Sequence, residues 1–266
     1  MQHRARKRFG QNFLQDNTMI GRIIESLQLR PEDKVVEIGP GLGALTKPML
    51  QRLSHLTAIE IDRDLLAFWG QQPEALTHQL QLIGQDALTV DYAVLGPALR
   101  LVGNLPYNVA TPLLAKWGEC ASALQDIHVM LQREVAQRIV AAPGSKTYGR
   151  LSVLMQYHFE VTLLLDVPPE AFSPAPKVHS AFIRLKPHPK MLYAEISVPL
   201  FSRVLQQAFG MRRKTLANNL KPWISAEELT NLGINPLDRP EVLSVQDYVF
   251  LTQTFMQNGR YDYGVS

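Results

Sequence analysis

The residues best suited to chemistry in this chain lie in one short segment, residues 103–107 with the sequence GNLPY, after an apolar, strand-like run. Asn104 carries a side-chain oxygen that can accept a hydrogen bond from an NH2 group, and the ring of Tyr107 can stack on a planar group. Pro106 cannot donate to a sheet ladder and disfavours helix at Leu105, so we expect the strand to stop here with its carbonyls turned outward. These residue types predict a site for a flat base that presents an exocyclic amine.

A glycine-rich turn at residues 39–43, with the sequence GPGLG, follows the first predicted strand, and we expect a helix over residues 44–53. Glycines such as Gly39 and Gly41 allow a backbone to approach a ligand closely, although a purely structural tight turn is the alternative. The G-x-G-x-G spacing is one residue shorter than the dinucleotide fingerprint. Glu37, just before it, would repel a pyrophosphate and attract a cationic amino-acid group. Both features favour S-adenosylmethionine over a nicotinamide cofactor.

Polar side chains also follow the next two predicted strands. Glu60 ends the second strand, where a doubly wound fold presents a carboxylate to the hydroxyl pair of a ribose. Asp86 follows the third strand, where it can accept a hydrogen bond from an adenine amine; its alternative role is that of a helix N-cap. With Glu37 and Asn104, these side chains mark four consecutive strand ends.

The elements that must position these side chains are indicated by apolar, β-branched runs that alternate with helical stretches, at residues 34–38, 56–61, 80–83, 99–102 and 127–131. This alternation predicts an α/β fold with a parallel sheet and crossover helices. Two further runs, residues 161–167 and 181–185, are joined by a proline-rich segment without a helix-length connection. They predict an antiparallel pair at one edge of the sheet.

The last third of the chain has a helical pattern. Residues 186–190, with the sequence KPHPK, break regular structure and predict a linker. Residues 199–209 are amphipathic, and the segments that begin at Ser225 and Ser244 fit capping boxes. We therefore expect an N-terminal arm plus a sheet domain over residues 1–188, and a small all-α domain over residues 189–266.

Composition limits the class of protein. The 266 residues are 46% hydrophobic and 19% charged, which is enough apolar content for a large core. No apolar run approaches the ~20 residues of a membrane helix, and the basic start lacks the apolar core of a signal peptide. We therefore expect a cytoplasmic protein that does not contact a membrane. We also expect a monomer. The single cysteine, Cys120, excludes an internal disulfide, and no ligand spacing suggests a metal site.

The net charge is only +3, but the cations are clustered. One cluster lies in the first eight residues and a second follows residue 210; the candidate phosphate-binding residues are Arg4, Arg6, Lys7, Arg8, Arg212, Arg213 and Lys214. Such clusters predict salt-sensitive binding to nucleic acid, and ordinary solvated surface is the alternative for either one alone.

Two further motifs, RFGQNFL at residues 8–14 and FSPAPKV at residues 172–178, complete a pattern that runs nearly from end to end. In this pattern the chain resembles the ribosomal RNA adenine N6,N6-dimethyltransferases, specifically the bacterial small-subunit type associated with kasugamycin resistance. The resemblance implies a Rossmann-like, S-adenosylmethionine-dependent methyltransferase sheet with an antiparallel last strand, and a C-terminal helical domain that docks RNA. It also implies dimethylation of two adjacent adenines in a 3′-terminal hairpin loop of 16S ribosomal RNA, with S-adenosylhomocysteine as the second product.

The resemblance assigns roles to individual residues. The implied cofactor-binding residues are Asn12, Leu14, Gly39, Gly41, Glu60, Ile61, Asp86, Ala87 and Asn104. Asn104, Leu105, Pro106, Tyr107 and Phe172 would hold the target adenine, with the rings of Tyr107 and Phe172 on its two faces. Gly43 could serve helix packing as well as ligand approach, and Phe172 could be plain core.

Other functions share parts of this pattern. A large-subunit ribosomal RNA dimethyltransferase that confers antibiotic resistance would use the same chemistry on another target. An RNA-binding assembly factor for the small ribosomal subunit, with weak catalysis, is an alternative of a different class. A DNA adenine methyltransferase fits less well, because Leu105 stands where those enzymes usually carry proline.

Overall fold

A computed structural model of the chain describes residues 12–188, 192–211 and 213–259, without the side chains of Tyr107 and Asn108. The chain divides into two compact units, residues 1–136 with 159–187, and residues 137–158 with 188–266. The domain boundary predicted at residue 188 coincides with the point, after residue 187, where the chain enters the second unit for the last time. The grouping of residues 137–158 with the C-terminal residues had no signal in the sequence pattern.

The first unit is built on strands and short helices. The strands are β1 (Phe13–Leu14), β2 (Lys34–Ile38), β3 (Leu56–Ile59), β4 (Leu80–Ile83), β5 (Leu99–Asn104), β6 (Leu124–Gln132), β7 (Phe159–Val167), β8 (Phe172–Ser173) and β9 (Ser180–Pro187). The helices are α1 (Asn17–Leu27), α2 (Thr46–Leu50), α3 (Arg63–Gly70), α4 (Pro73–Leu76), α5 (Tyr107–Glu119) and α6 (Arg133–Ile139), the last of which continues into the second unit.

The main sheet has the strand order β4-β3-β2-β5-β6-β9-β7. β9 runs antiparallel to both of its neighbours, and the other pairs are parallel. The mostly parallel sheet with an antiparallel last strand is therefore confirmed. Its central strands read as continuous apolar runs because both of their faces are buried, as at Val35, Val36, Leu101 and Val102.

Register brings the carboxyl ends of the central strands to one edge of the sheet. Ile38 at the end of β2 pairs with Ile59 of β3 and with Gly103 of β5, and Ile59 pairs with Ile83 of β4. The polar residues that follow these strands must therefore share this edge, which is where open parallel sheets bind ligands.

Several predicted boundaries differ from the structure: β3 ends at Ile59 and not at residue 61, and β6, β7 and β9 extend beyond the predicted runs. β5 continues two residues beyond the predicted end at residue 102, because Gly103 allows close packing: a Cβ atom there would lie 2.9 Å from the carbonyl oxygen of Ile38. The helix predicted over residues 44–53 is shortened to α2, since Gly43 has a φ of +93° and holds the preceding residues in a turn.

A second, two-stranded sheet joins distant parts of the chain. β1 pairs antiparallel with β8, so that Phe13 faces Ser173 and Leu14 faces Phe172. The sequence motifs at residues 8–14 and 172–178 indicated neither strand. Their pairing brings both segments to the same part of the first unit.

The second unit is helical, with α7 (Arg150–His158), α8 (Val198–Ala208), α9 (Leu216–Leu220), α10 (Ala226–Asn231) and α11 (Val245–Gln257). The capping boxes predicted at Ser225 and Ser244 are both present. A buried face of α11 carries Tyr248, Leu251 and Phe255. Within the described ranges, none of the helices combines the length and the apolar character needed to cross a membrane.

Candidate active site

A cavity of about 210 Å³ opens at the carboxyl edge of the main sheet, bordered by the ends of β2 to β5 and by the β1–β8 pair. The predicted residues that line it are Asn12, Leu14, Gly39, Gly41, Glu60, Ile61, Asp86, Ala87, Asn104, Leu105, Pro106 and Phe172. Residues from six separate places in the sequence thus share one cavity. Tyr107 begins α5 next to it, and the position of its side chain lies outside the described part of the chain.

Several other apolar residues of the lining had no signal in the sequence analysis. They include Phe13, Leu42, Leu45, Val109 and Leu113. Val109 and Leu113 lie four residues apart on α5 and so share one helical face, a spacing that could have been read from the sequence. Phe13 gave no such signal, because its place depends on the pairing of β1 with β8.

The glycine turn reaches the cavity through two of its three glycines. Gly39 and Gly41 have φ values of +69° and +54°, in the left-handed region that favours glycine, and both line the cavity. Gly43 does not line it; a Cβ atom there would lie 2.8 Å from the ring of Trp69. Of the two roles left open for Gly43, the structure supports packing.

Glu37 is a deeply buried acid at this edge. Burial raises the pKa of its carboxyl group to about 8, and the nearby Thr46 hydroxyl only partly offsets this effect. Its Oε2 atom has no hydrogen-bond partner among the described residues. A buried oxygen without a partner is costly, so a cationic or hydrogen-bond-donating ligand group would be stabilised there.

Glu60 is held in place by the backbone that follows it. Its Oε1 atom accepts hydrogen bonds from the N–H groups of Ile61, at 2.9 Å, and Asp62, at 2.8 Å. Burial raises the pKa of this carboxyl group, while these N–H groups and that of Gly41 favour the ionised form. With Oε1 occupied in this way, the carboxylate has a fixed orientation beside the cavity.

Asp86 lies in a turn that no α-helix follows directly. Its Oδ1 accepts a hydrogen bond from the backbone N–H of Leu88 at 2.9 Å, and the Tyr92 hydroxyl donates to the carbonyl of Ala87 at 2.9 Å. The α-helix N-cap considered for Asp86 is therefore not its role. These bonds instead fix the turn that borders the cavity.

The amide of Asn104 is oriented by the segment before β1. Its Nδ2 donates a hydrogen bond to the backbone carbonyl of Asn12 at 3.0 Å, which assigns Oδ1 as the accepting end of the side chain. After it, Leu105 is buried, and the Pro106 carbonyl accepts a hydrogen bond from Val109 at 3.1 Å. The amide oxygen thus stands at the end of β5 as a hydrogen-bond acceptor beside the cavity.

Phe172 lies both in the core and at the cavity. It is 6% exposed and belongs to the core of the first unit, and it also lines the cavity beside Leu14. A buried ring with one side on a cavity can contact a planar ligand without first being ordered.

His128 belongs to a different part of the sheet. It contacts Asp126 at 3.5 Å and stacks on Phe182, and Asp126 in turn binds the guanidinium of Arg100 at 2.9 Å. This buried network lies away from the cavity, and no histidine of the described ranges is part of the cavity lining. Among the residues that the structure describes, no three metal-ligating side chains come together.

Comparison with known proteins gives matches over nearly the whole chain. Residues 2–257 match the family described as ribosomal RNA adenine dimethylase. A protein named ribosomal RNA small subunit methyltransferase A from Legionella pneumophila (strain Lens) is 52% identical over 258 residues, 97% of this chain and 100% of the relative. A protein of the same name from Pectobacterium atrosepticum is 49% identical over 92% of each chain.

Two solved structures have the same fold over almost their full lengths. A dimethyladenosine transferase from Plasmodium falciparum has a TM-score of 0.79 at 23% identity, covering 93% of this chain and 98% of the other. The 23S rRNA methyltransferase ErmE has a TM-score of 0.67 at 24% identity, covering 91% and 98%. At these identities the likeness establishes architecture, while the roles of residues depend on the site itself.

Proposed function

The chain belongs to the ribosomal RNA adenine dimethylase family, and from this premise we propose that its cavity holds S-adenosylmethionine beside an adenine of small-subunit (16S) ribosomal RNA. It is a methyltransferase of that RNA, acting at the exocyclic N6. The targets we propose are two adjacent adenines in the 3′-terminal hairpin loop, modified in the cytoplasm during assembly of the small subunit. Association with the small ribosomal subunit follows from this target.

The observation that carries the proposal is the position of Asn104. Its amide lies at the end of β5, lines the same cavity as Glu60 and Gly41, and is oriented by the carbonyl of Asn12. An amine acceptor therefore stands directly beside a site with the features of a nucleoside pocket.

The residues around the cavity suit the methyl donor. When bound, S-adenosylmethionine supplies a methyl group on a positively charged sulfur. Glu60 would accept hydrogen bonds from the ribose hydroxyls, and Asp86 with the Ala87 backbone would bind the adenine edge. Gly39 and Gly41 allow close approach of the amino-acid part, toward the unpartnered oxygen of Glu37. Ile61, half exposed at the cavity, and the segment of Asn12 and Leu14 would cover the ligand.

The chain's own contribution to transfer is to orient the target amine. The amine of adenine is a weak nucleophile because its lone pair is delocalised into the ring. If Asn104 Oδ1 and the Leu105 carbonyl accept its two hydrogens, the lone pair is directed toward the methyl donor. The Pro106 carbonyl, which accepts one hydrogen bond from Val109 and has a second lone pair, is the alternative acceptor, and the proline ring makes this backbone rigid. No general base is required.

Aromatic side chains would hold the base itself. Phe172 offers a ring at the cavity wall, and we retain Tyr107 as the second stacking residue because it directly follows Pro106. Stacking of this kind contributes ~1–3 kcal/mol per base and does not select the base, so selection falls to the hydrogen bonds of Asn104 and Leu105.

The RNA backbone would be bound by exposed cations. In the second unit Arg213 and Lys214 are exposed in the turn between α8 and α9, and the Lys214 N–H donates to the Met211 carbonyl at 2.9 Å. We propose that this turn, with Arg212 and the N-terminal cations Arg4, Arg6, Lys7 and Arg8, contacts phosphates.

The test uses purified protein, labelled S-adenosylmethionine and small ribosomal subunits that lack the modification. We expect label in 16S RNA, mapped to adjacent adenines by stops in reverse transcription. Asn104→Ala should abolish transfer while subunit binding persists, because it removes an acceptor of the amine and leaves the phosphate contacts. Asn231→Ala, at an exposed site on α10, is the matched control and should keep wild-type transfer.

Two results would overturn parts of this proposal. Label only in large-subunit RNA would favour the antibiotic-resistance alternative. Tight binding of small subunits without transfer by the wild-type protein would favour the assembly-factor alternative.

A further inference from the structure

One buried tryptophan contacts the glycine turn directly. Trp69 lies near the end of α3 and is fully buried, and its indole N–H donates a hydrogen bond of 2.9 Å to the carbonyl oxygen of Gly41. Gly41 is one of the two glycines that line the cavity. The backbone that borders the ligand site is thus bonded to a side chain that does not line the cavity.

The ring of Trp69 also occupies the space that Gly43 leaves. A Cβ atom at Gly43 would lie 2.8 Å and 2.9 Å from two carbon atoms of the ring. On the cavity side, a Cβ atom at Gly41 would lie 3.2 Å from the ring of Phe13. The turn is therefore packed against Trp69 and against Phe13.

Helix α3 connects this contact to Glu60. Asp62, the N-cap of α3, accepts a hydrogen bond from Asp64 and donates its own backbone N–H to Glu60 Oε1 at 2.8 Å. Glu60 thus precedes the helix and Trp69 lies near its other end. Both contacts reach residues that line the same cavity, Gly41 and Glu60.

We propose that Trp69 is a positioning residue that holds Gly41 in its left-handed conformation before the methyl donor binds. Without the indole N–H, the turn would have a buried carbonyl lacking its donor and would adopt other conformations in the free protein. Binding would then include the cost of ordering the turn, which lowers affinity. The identity of the ligand rests on the proposed function; the role of Trp69 is a separate claim.

The test compares two tryptophans that are both fully buried in the first unit. Trp69→Phe removes the hydrogen bond to Gly41, and Trp117→Phe on α5 makes the same exchange at a ring that packs edge-on against Tyr92. The readout is the equilibrium dissociation constant for S-adenosylhomocysteine, measured by titration calorimetry. We expect about a tenfold increase for Trp69→Phe and less than about a twofold change for Trp117→Phe.

Kinetics give a second readout. Trp69→Phe should raise the KM for S-adenosylmethionine by a similar factor and leave kcat at saturating donor close to the wild-type value, because the turn is ordered once the ligand is bound. Equal loss of affinity in both variants, or unchanged affinity in Trp69→Phe, would contradict the positioning role.

A measurement on the wild-type protein covers the case in which Trp69→Phe does not fold. The indole N–H signals of the tryptophans can be followed by NMR while the protein exchanges with heavy water. Because coupling is reciprocal, S-adenosylhomocysteine should slow exchange at Trp69 several-fold and leave Trp117 unchanged. No slowing at Trp69 despite binding would overturn this inference alone. Failure of the wild-type protein to bind the ligand would instead overturn the proposed function.

Discussion

The carboxyl group of Glu37 is taken out of water when the chain folds, and this makes stability depend on pH. Its pKa is raised from 4.5 to about 8 by burial. The folded protein therefore keeps this proton to higher pH than the unfolded chain does. The contribution of Glu37 to the free energy of unfolding must fall as pH rises from about 4.5 to about 8, and then level off.

We predict that Glu37→Gln abolishes this decrease in the free energy of unfolding in the ligand-free protein. Between about pH 5 and pH 8 the Glu37 carboxyl group should lower the wild-type free energy of unfolding by on the order of 3 kcal/mol. The variant should not show this decrease, because glutamine does not titrate. Urea unfolding at both pH values measures the difference. Glu32→Gln, an exposed substitution just before β2, should retain the wild-type pH dependence. The same pH dependence in Glu37→Gln as in wild type would contradict the prediction.

Individual residues were predictable where one side chain indicates its own chemistry. Glu60, Asp86 and Asn104 each follow an apolar run, and parallel pairing brings strand ends together whatever the loops between them do. Trp69 and Phe13 were not predictable, because their contacts with the glycine turn depend on how α3 and β1 pack in three dimensions. Gly43 could be assigned to packing only once Trp69 was seen beside it.

Helix α11 shows how a local signal defines an element. Ser244 accepts a hydrogen bond from the N–H of Asp247 at 3.2 Å, and the Asp247 carboxylate accepts from the Ser244 N–H at 2.8 Å. These bonds satisfy backbone donors that the first turn of a helix leaves without partners. The helix so begun buries Tyr248 and Phe255 in the second unit.

We predict that Ser244→Ala lowers the free energy of unfolding by about 1 kcal/mol, because one of these donors loses its acceptor. Chemical denaturation followed by circular dichroism measures the change. Ser244→Thr keeps a hydroxyl and should recover most of the loss. If the alanine and threonine variants were equally unstable, the effect would come from packing at this position and the cap would not explain it.

Elements with local signals were predicted well, and elements that exist only through distant pairing were missed. β2 and β4 have the bounds that their apolar runs indicated, and α8 is shifted by a single residue. β1 and β8 are two residues each and depend on each other for hydrogen bonds. Neither strand is long enough to show an alternating apolar pattern in the sequence. The end of β5 was missed because the space available to Gly103 depends on β2.

Across the molecule, acidic and basic groups serve different proposed ligands. The cavity of the first unit carries Glu37, Glu60 and Asp86, and within the part of the chain that the structure describes no basic residue lines it. The exposed turn in the second unit carries Arg213 and Lys214. A net charge of +3 conceals this separation, which only the positions of the charges indicate.

We predict that changing Arg212, Arg213 and Lys214 together to alanine weakens binding to small ribosomal subunits and makes it less dependent on salt. Each lost phosphate contact should reduce the slope of log affinity against log salt by about 0.7–0.9. Filter binding across a series of salt concentrations gives the slope. Alanine at Arg22, Arg30 and Lys34, exposed cations of the first unit, is the charge-matched control. Equal slopes for both triple variants would show that the turn is ordinary surface.

Helix α3 also acts as a spacer of fixed length. Its eight residues span about 12 Å, with Glu60 before its first turn and Trp69 near its last residue. Insertion of a single residue within it would rotate Trp69 by about 100° around the helix axis, away from Gly41, while Glu60 stayed in place. The fit of Trp69 against Gly41 is thus encoded in a residue count, so a change in the length of this helix should disturb the glycine turn more than replacement of its exposed side chains.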